Sequence, residues 1–157
     1  MGQYDRVRWR GEPVTRRQRQ AMVAVEKAIR EKHPKNHGDF RFIVPQGSWQ
    51  PATTYSGTTH TGAGVLDVFF EGMSDADWYA EVLRITRRVG RQAAFGRGPW
   101  CGMSYHLHVC DLNTHGMNSN AIWQVTQYRD GFDGLVYRRK DPFPYRPDPL
   151  RKWRYKA

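Results

Sequence analysis

Apolar residues recur at three- and four-residue steps through Ala21, Met22, Val25, Ala28 and Ile29, the spacing that gathers side chains on one face of a helix. Thr15 offers an N-cap and Pro34 follows His33, so the pattern predicts an amphipathic helix from about Gln18 to His33. The period then changes. Phe40-Arg41-Phe42-Ile43-Val44 alternates and is rich in strand formers, which predicts a strand leading into Pro45-Gln46-Gly47-Ser48. Residues 49 to 64 are rich in Ser, Thr and Gly and read as a long loop, which in a small compact domain is usually functional. Val65-Leu66-Asp67-Val68-Phe69-Phe70 is the next strand, apolar at both parities except for one carboxylate. Ser74 or Asp75 can cap a second helix with the stripe Trp78, Val82, Ile85 and Val89. Gly98-Pro99-Trp100 breaks the chain before a third strand, Ser104 to Cys110. A third helix runs from about Asn118 to Arg129, with Ala121, Ile122, Val125 and Tyr128 inward and Gly131 closing it.

Strands that alternate irregularly with helices, rather than in repeated βαβ units, predict an α+β fold. The expected architecture is a small antiparallel sheet with about three helices on one side of it. One domain is expected over residues 1–137. From Arg138 to Ala157 the chain carries four prolines among aromatic and basic residues. Phe143, Tyr145, Trp153 and Tyr155 are costly to leave in water, so residues 138–157 are expected to form an extended arm packed on the domain.

Charge changes the list of partners. The chain has 157 residues, 25 Lys and Arg against 15 Asp and Glu, and a net charge of +10, which favours polyanions by long-range attraction. Much of the excess falls in Arg6 to Arg19, Arg84 to Arg97 and Arg138 to Lys156, and no helix-turn-helix, zinc-finger or aromatic RNA-binding pattern accompanies it. Nucleic acid is therefore not the expected partner, and steeply salt-dependent DNA binding would be its mark. No run approaches the roughly 20 apolar residues of a membrane span, and no secretory signal is read at the N-terminus. Cys101 and Cys110 lack the paired spacing of a structural zinc site and read as reduced core thiols.

The chemistry lies in three histidines and a carboxylate. His106 and His108 share one face of a period-two strand with Cys110, so two imidazoles can converge on one small object. His60 sits in a Gly-bearing loop ahead of Asp67, whose carboxylate in an apolar strand needs either a cation or several backbone N–H donors. Taken together, His60, Asp67 and His108 supply two nitrogens, one oxygen and an open position, the donor set of a catalytic zinc site with one ion per chain. Gln46 and Ser48, at the end of the first strand, can grip a substrate backbone or be ordinary loop residues.

The run Ser56-Gly57-Thr58-Thr59-His60 through Asp67, followed by His106-Leu107-His108, resembles the zinc peptidases related to D-Ala-D-Ala carboxypeptidases, lysostaphin and Sonic hedgehog. Gln46-Gly47-Ser48, Ala121 to Gln124, Tyr128, Gly131-Phe132-Asp133-Gly134-Leu135 and the aromatic, Pro-rich tail are further similar to peptidase domains of endolysins from phages of actinobacteria. The resemblance covers residue 40 to the end. It departs from the carboxypeptidase pattern in having Tyr105, not Glu, three residues before His108. It implies that His60, Asp67 and His108 bind zinc while His106 takes a proton or stabilises an oxyanion beside the metal. It also implies a peptidase acting on peptidoglycan stem peptides or cross-links, in the host cytoplasm and then the wall at lysis, or in a virion with other phage proteins. The alternative is a non-enzymatic phage structural or wall-binding protein that keeps the fold.

Overall fold

A computed structural model describes residues 2, 4–52, 58–112 and 114–147. It opens with a hairpin that was not expected. β1 (Arg6–Trp9) and β2 (Glu12–Thr15) pair antiparallel across Arg10 and Gly11, both in left-handed backbone with φ of 52° and 91°. Trp9 and Val14 are buried while Arg6 and Arg8 face solvent, so the alternation exists but spans too few residues to stand out in a basic segment.

Thr15 ends the hairpin and caps α1 (Arg16–Lys32), its hydroxyl accepting the Gln18 N–H at 3.1 Å. Met22, Val25 and Ile29 form the buried stripe. Glu26 is buried among them, where it pairs with Arg10 of the hairpin and accepts the Phe42 N–H at 2.8 Å. One carboxylate thus joins hairpin, helix and the approach to the sheet. A short turn of helix, α2 (Pro34–His37), follows.

The main sheet has four strands, β3 (Ile43–Gln46), β4 (Val65–Phe69), β5 (Gln92–Arg97) and β6 (His106–Asp111), ordered β3-β4-β6-β5 and antiparallel throughout. The protein is α+β, as expected. β3 starts later than the apolar alternation suggests, because Phe40 and Phe42 turn into the core instead of pairing. β5 carries no alternation at all. Its Ala93, Ala94 and Phe95 are all buried, and pairing with β6 along its whole length makes this stretch a strand.

The helices do not share one side of the sheet. Leu66, Val68, Ala94, Leu107 and Val109 form one core with α1 and with Tyr79, Val82, Leu83 and Ile85 of α3 (Ala76–Val89). Val65, Ala93, Phe95 and Cys110 face the other way, against Ala121, Val125 and Tyr128 of α4 (Ser119–Arg129). This corrects the one-sided expectation, and its cause is the double-faced apolarity of β4 and β6, which requires cover above and below.

Residues 138–147 lie against this body. Asp141 pairs with Arg87 of α3 and with Arg146, both at 2.7 Å, and Phe143 packs 5.4 Å from Tyr79. Trp153 and Tyr155 lie outside the described residues. Among the described residues no helix is long and apolar enough to cross a membrane. Replacing Asp141 by Ala leaves the buried Arg87 guanidinium and that of half-buried Arg146 without their carboxylate. The expected loss is about 3–5 kcal/mol of stability in chemical unfolding, and a loss under about 1 kcal/mol, the scale of an exposed pair, would contradict this role.

Candidate metal centre

The face covered by α4 is also the face that carries the expected ligands. β4 and β6 pair with Asp67 directly opposite His108, so both side chains project from the same side of the sheet. His60 reaches them from a short 3-10 turn, Thr59–Thr61. That turn is held against the segment after β3 by the Gln50 N–H to the His60 carbonyl (2.9 Å) and the Trp49 N–H to Gly62 (3.0 Å). Ser48 is fully buried, and its hydroxyl donates to the Val65 carbonyl and accepts the Val65 N–H. It therefore anchors this loop to β4, and Gln46 lies half-buried across from Asp67 in the β3–β4 register.

The hydrogen bonds assign the imidazole tautomers. His60 Nδ1 lies 2.9 Å from the Gly47 carbonyl, which only accepts, so Nδ1 carries the proton and Nε2 is left toward Asp67 Oδ1 at 3.4 Å. His108 Nε2 lies 2.8 Å from Gln124 Oε1. The Gln124 amide is oriented by its Nε2, which donates to the Gly134 carbonyl at 3.2 Å, so its oxygen faces His108 and His108 Nε2 must donate. What remains is His108 Nδ1, 2.8 Å from the same Asp67 oxygen. Two imidazole nitrogens committed to be acceptors thus converge on a carboxylate, and only a cation reconciles the three. These ligand atoms lie within 4.8 Å of one another, so His60, Asp67 and His108 can hold a metal ion.

A proton is the other candidate cation. Burial works against charging either ring. In His60 the hydrogen bond and charge of Asp67, with the Gly47 carbonyl, outweigh burial and raise its pKa above the ordinary 6.5. In His108 burial prevails over Asp67 and the pKa falls. Once a proton stands on these rings, Asp67 is held well below the usual carboxylate range: burial opposes its charge, and hydrogen bonds donated by His108 and His60 overcome that.

Two glycine backbones supply the outer contacts. Gly47 lies so close to β2 that a Cβ there would sit 2.2 Å from the Pro13 carbonyl, so the N-terminal hairpin abuts the peptide unit that orients His60. Gly134 has φ of 71° and would place a Cβ 2.8 Å from the Phe95 ring. Gln124 and these carbonyls were not recognised as site residues from sequence, since an amide on a helix and a glycine carbonyl carry no motif of their own.

His60, His106 and His108 line a cleft of about 440 Å3 beside Trp123 and Asn120. His106 donates its Nδ1–H to the Ser104 carbonyl at 2.8 Å and lies outside the ligand group. Cys110 is behind His108, its Sγ 3.6 Å from Nε2, with burial pushing its thiol pKa up. It belongs to the supporting layer. Cys101 is also free but only half-buried. Comparison with protein-family models, curated proteins and solved structures finds no match to this chain.

Two outcomes are expected. Gln124→Leu removes the acceptor that fixes the His108 tautomer, so metal affinity should fall about 10- to 100-fold in competition with a chromophoric chelator; unchanged affinity would mean the amide orients nothing. Metal must also displace the proton that Asp67 favours on His60. Affinity should therefore rise with pH through a midpoint above 6.5, and a midpoint at or below that value would show that Asp67 does not hold a proton on His60.

Proposed function

We propose that this protein is a zinc-dependent peptidase acting on peptide bonds of bacterial peptidoglycan. The observation that carries the metal is the pair of imidazole acceptors aimed at one Asp67 oxygen, each with its outer nitrogen held by a protein acceptor. This arrangement, in which an outer contact sets tautomer and direction, is how ligating histidines are built into metal sites. Two nitrogens and a carboxylate oxygen suit zinc, and a set of only three protein donors, two of which line a cleft, suits catalysis. A bound zinc supplies Lewis acidity, polarising a carbonyl and activating water for attack on it.

The remaining work falls to the chain. His106 lines the same cleft, two residues from His108 on the same strand face. Its Nδ1–H is given to Ser104, which leaves Nε2 as the nitrogen that accepts a proton or donates to an oxyanion. The exposed Trp123 ring and the amide of Asn120 offer the cleft apolar and hydrogen-bonding surface for an extended peptide. The choice of peptidoglycan rests on the resemblance of the His60-to-Asp67 run and His106-Leu107-His108 to phage and bacterial wall peptidases.

The test joins metal content to wall digestion. Purified protein is expected to hold about one zinc per chain and to release peptide fragments from actinobacterial peptidoglycan, read by mass spectrometry. His108→Ala should lose both metal and activity. His106→Ala should keep zinc and slow turnover about 10²- to 10⁴-fold. A folded, zinc-loaded protein that leaves the wall intact would favour a binding or structural role instead.

A further inference from the structure

Among the described residues two arginines, Arg87 and Arg97, are buried, and they differ in how completely the protein pairs them. Arg87 spends its guanidinium on the Ala94 carbonyl, on Asp141, and on the Phe143 and Tyr145 carbonyls. Every nitrogen is used, as a structural cation requires. Arg97, the last residue of β5, is 3% exposed. Its Nη1 donates to the Asp133 carbonyl at 2.7 Å and the group lies over the Phe95 ring at 5.0 Å. Its Nη2 is buried with no hydrogen-bond partner among the described residues. A half-paired guanidinium shielded from water is costly to keep unless something completes it.

Its position says what that something is near. In the β5–β6 register Arg97 is opposite His106 and Phe95 is opposite His108. Arg97 therefore shares the face of the metal ligands, one pleat repeat or roughly 7 Å along the sheet from His108, the span of about two extended residues. The cleft of the three histidines adjoins another of about 590 Å3, and Arg97, Met103, Leu135 and Val136 line both. The two clefts meet at these four side chains and together make a groove with Arg97 in its lining. The second cleft adds Arg139 and Lys140, and the acid among its lining residues, Asp133, spends a carboxylate oxygen on the Leu135 N–H at 3.0 Å. Met103 and Val136 are exposed at 39% and 85%, side chains that change rotamer on a nanosecond scale and can turn aside for a ligand.

We propose that Arg97 is the carboxylate-binding residue of this groove, taking through Nη2 a carboxylate carried within about two residues of the scissile bond. Arg139 and Lys140 draw the anion to the mouth. This rests on the peptidase reading and narrows it to peptides with a free carboxylate close to the cut. The carboxylate can be the chain terminus or an acidic side chain.

Calorimetric titration of the full-length, metal-free chain separates these sources without turnover. The probes are N-acetyl-D-Ala-D-Ala, its C-terminal amide, and N-acetyl-D-Ala-D-Glu with its α-carboxyl amidated. The expected result is that at least one carboxylate probe binds about tenfold or more tighter than the uncharged amide. The better carboxylate identifies the source. Arg97→Gln should erase the preference and Arg97→Lys keep part of it, while Arg139→Gln with Lys140→Gln should weaken only its salt dependence. Should Arg97→Gln fail to fold, the wild-type comparison still decides, together with the shift of the Arg97 Nε–H resonance on adding the carboxylate probe. Equal binding of carboxylate and amide, no binding of any probe, or a folded Arg97→Gln that keeps the preference would overturn the proposal. Failure of zinc-loaded wild type to cut the wall would instead count against the peptidase reading.

Discussion

Asp67 sits at the centre of the main sheet, in a strand whose other residues are apolar, and a carboxylate there is held only if positive charge or strong donors come to it. The surroundings set two imidazoles beside it, which meet that demand once a cation lies among the three groups, and each imidazole in turn needs its far nitrogen satisfied. His60 takes the Gly47 carbonyl and His108 takes Gln124. One buried charge thus fixes a chain of contacts that runs from the N-terminal hairpin to the loop after α4.

That chain explains parts of the fold that would otherwise look incidental. The hairpin meets Gly47 through the Ser48 N–H to Pro13 at 2.8 Å and the Gly47 N–H to Glu12 at 3.3 Å, so a peripheral two-stranded element sets the height of the carbonyl under His60. The loop at Asp133 and Gly134 holds Arg97 with one carbonyl and Gln124 with the next. Two side chains on different elements are therefore referenced to a single peptide segment, which ties the spacing between the His60–Asp67–His108 group and the guanidinium to one stretch of backbone.

The sequence made legible those features that follow from periodicity or from an anomaly against it. The three longer helices, the apolar strand and the misfit Asp67 within it could all be read from residue types alone, as could the convergence of His60 and His108 on that carboxylate. β1, β2 and β5 could not, since four-residue strands in a basic segment and an Ala-rich stretch after a helix become strands only through their partners. Arg97 was hidden by the same cause: without β5 there is no face for it to share with His108. α4 was found, but its side of the sheet was not, because helical spacing tells which face is apolar and not which surface it meets. The positions of the supporting carbonyls are tertiary facts with no residue signature.

The outer contacts also set an order of events during synthesis. Gly47, His60, Asp67, His108, Gln124 and Gly134 are all needed before both imidazoles have their final tautomers and directions. A ribosome-bound chain that has released His60 and Asp67 still lacks the β6 partner, and one that has released His108 still lacks the amide and carbonyl that aim it. The centre can close only when the loop beyond α4 has emerged, after nearly the whole described chain is out. Until then His60, Asp67 and His108 are present without the amide and carbonyl that aim them, so the aimed geometry belongs to the finished fold and not to the nascent chain.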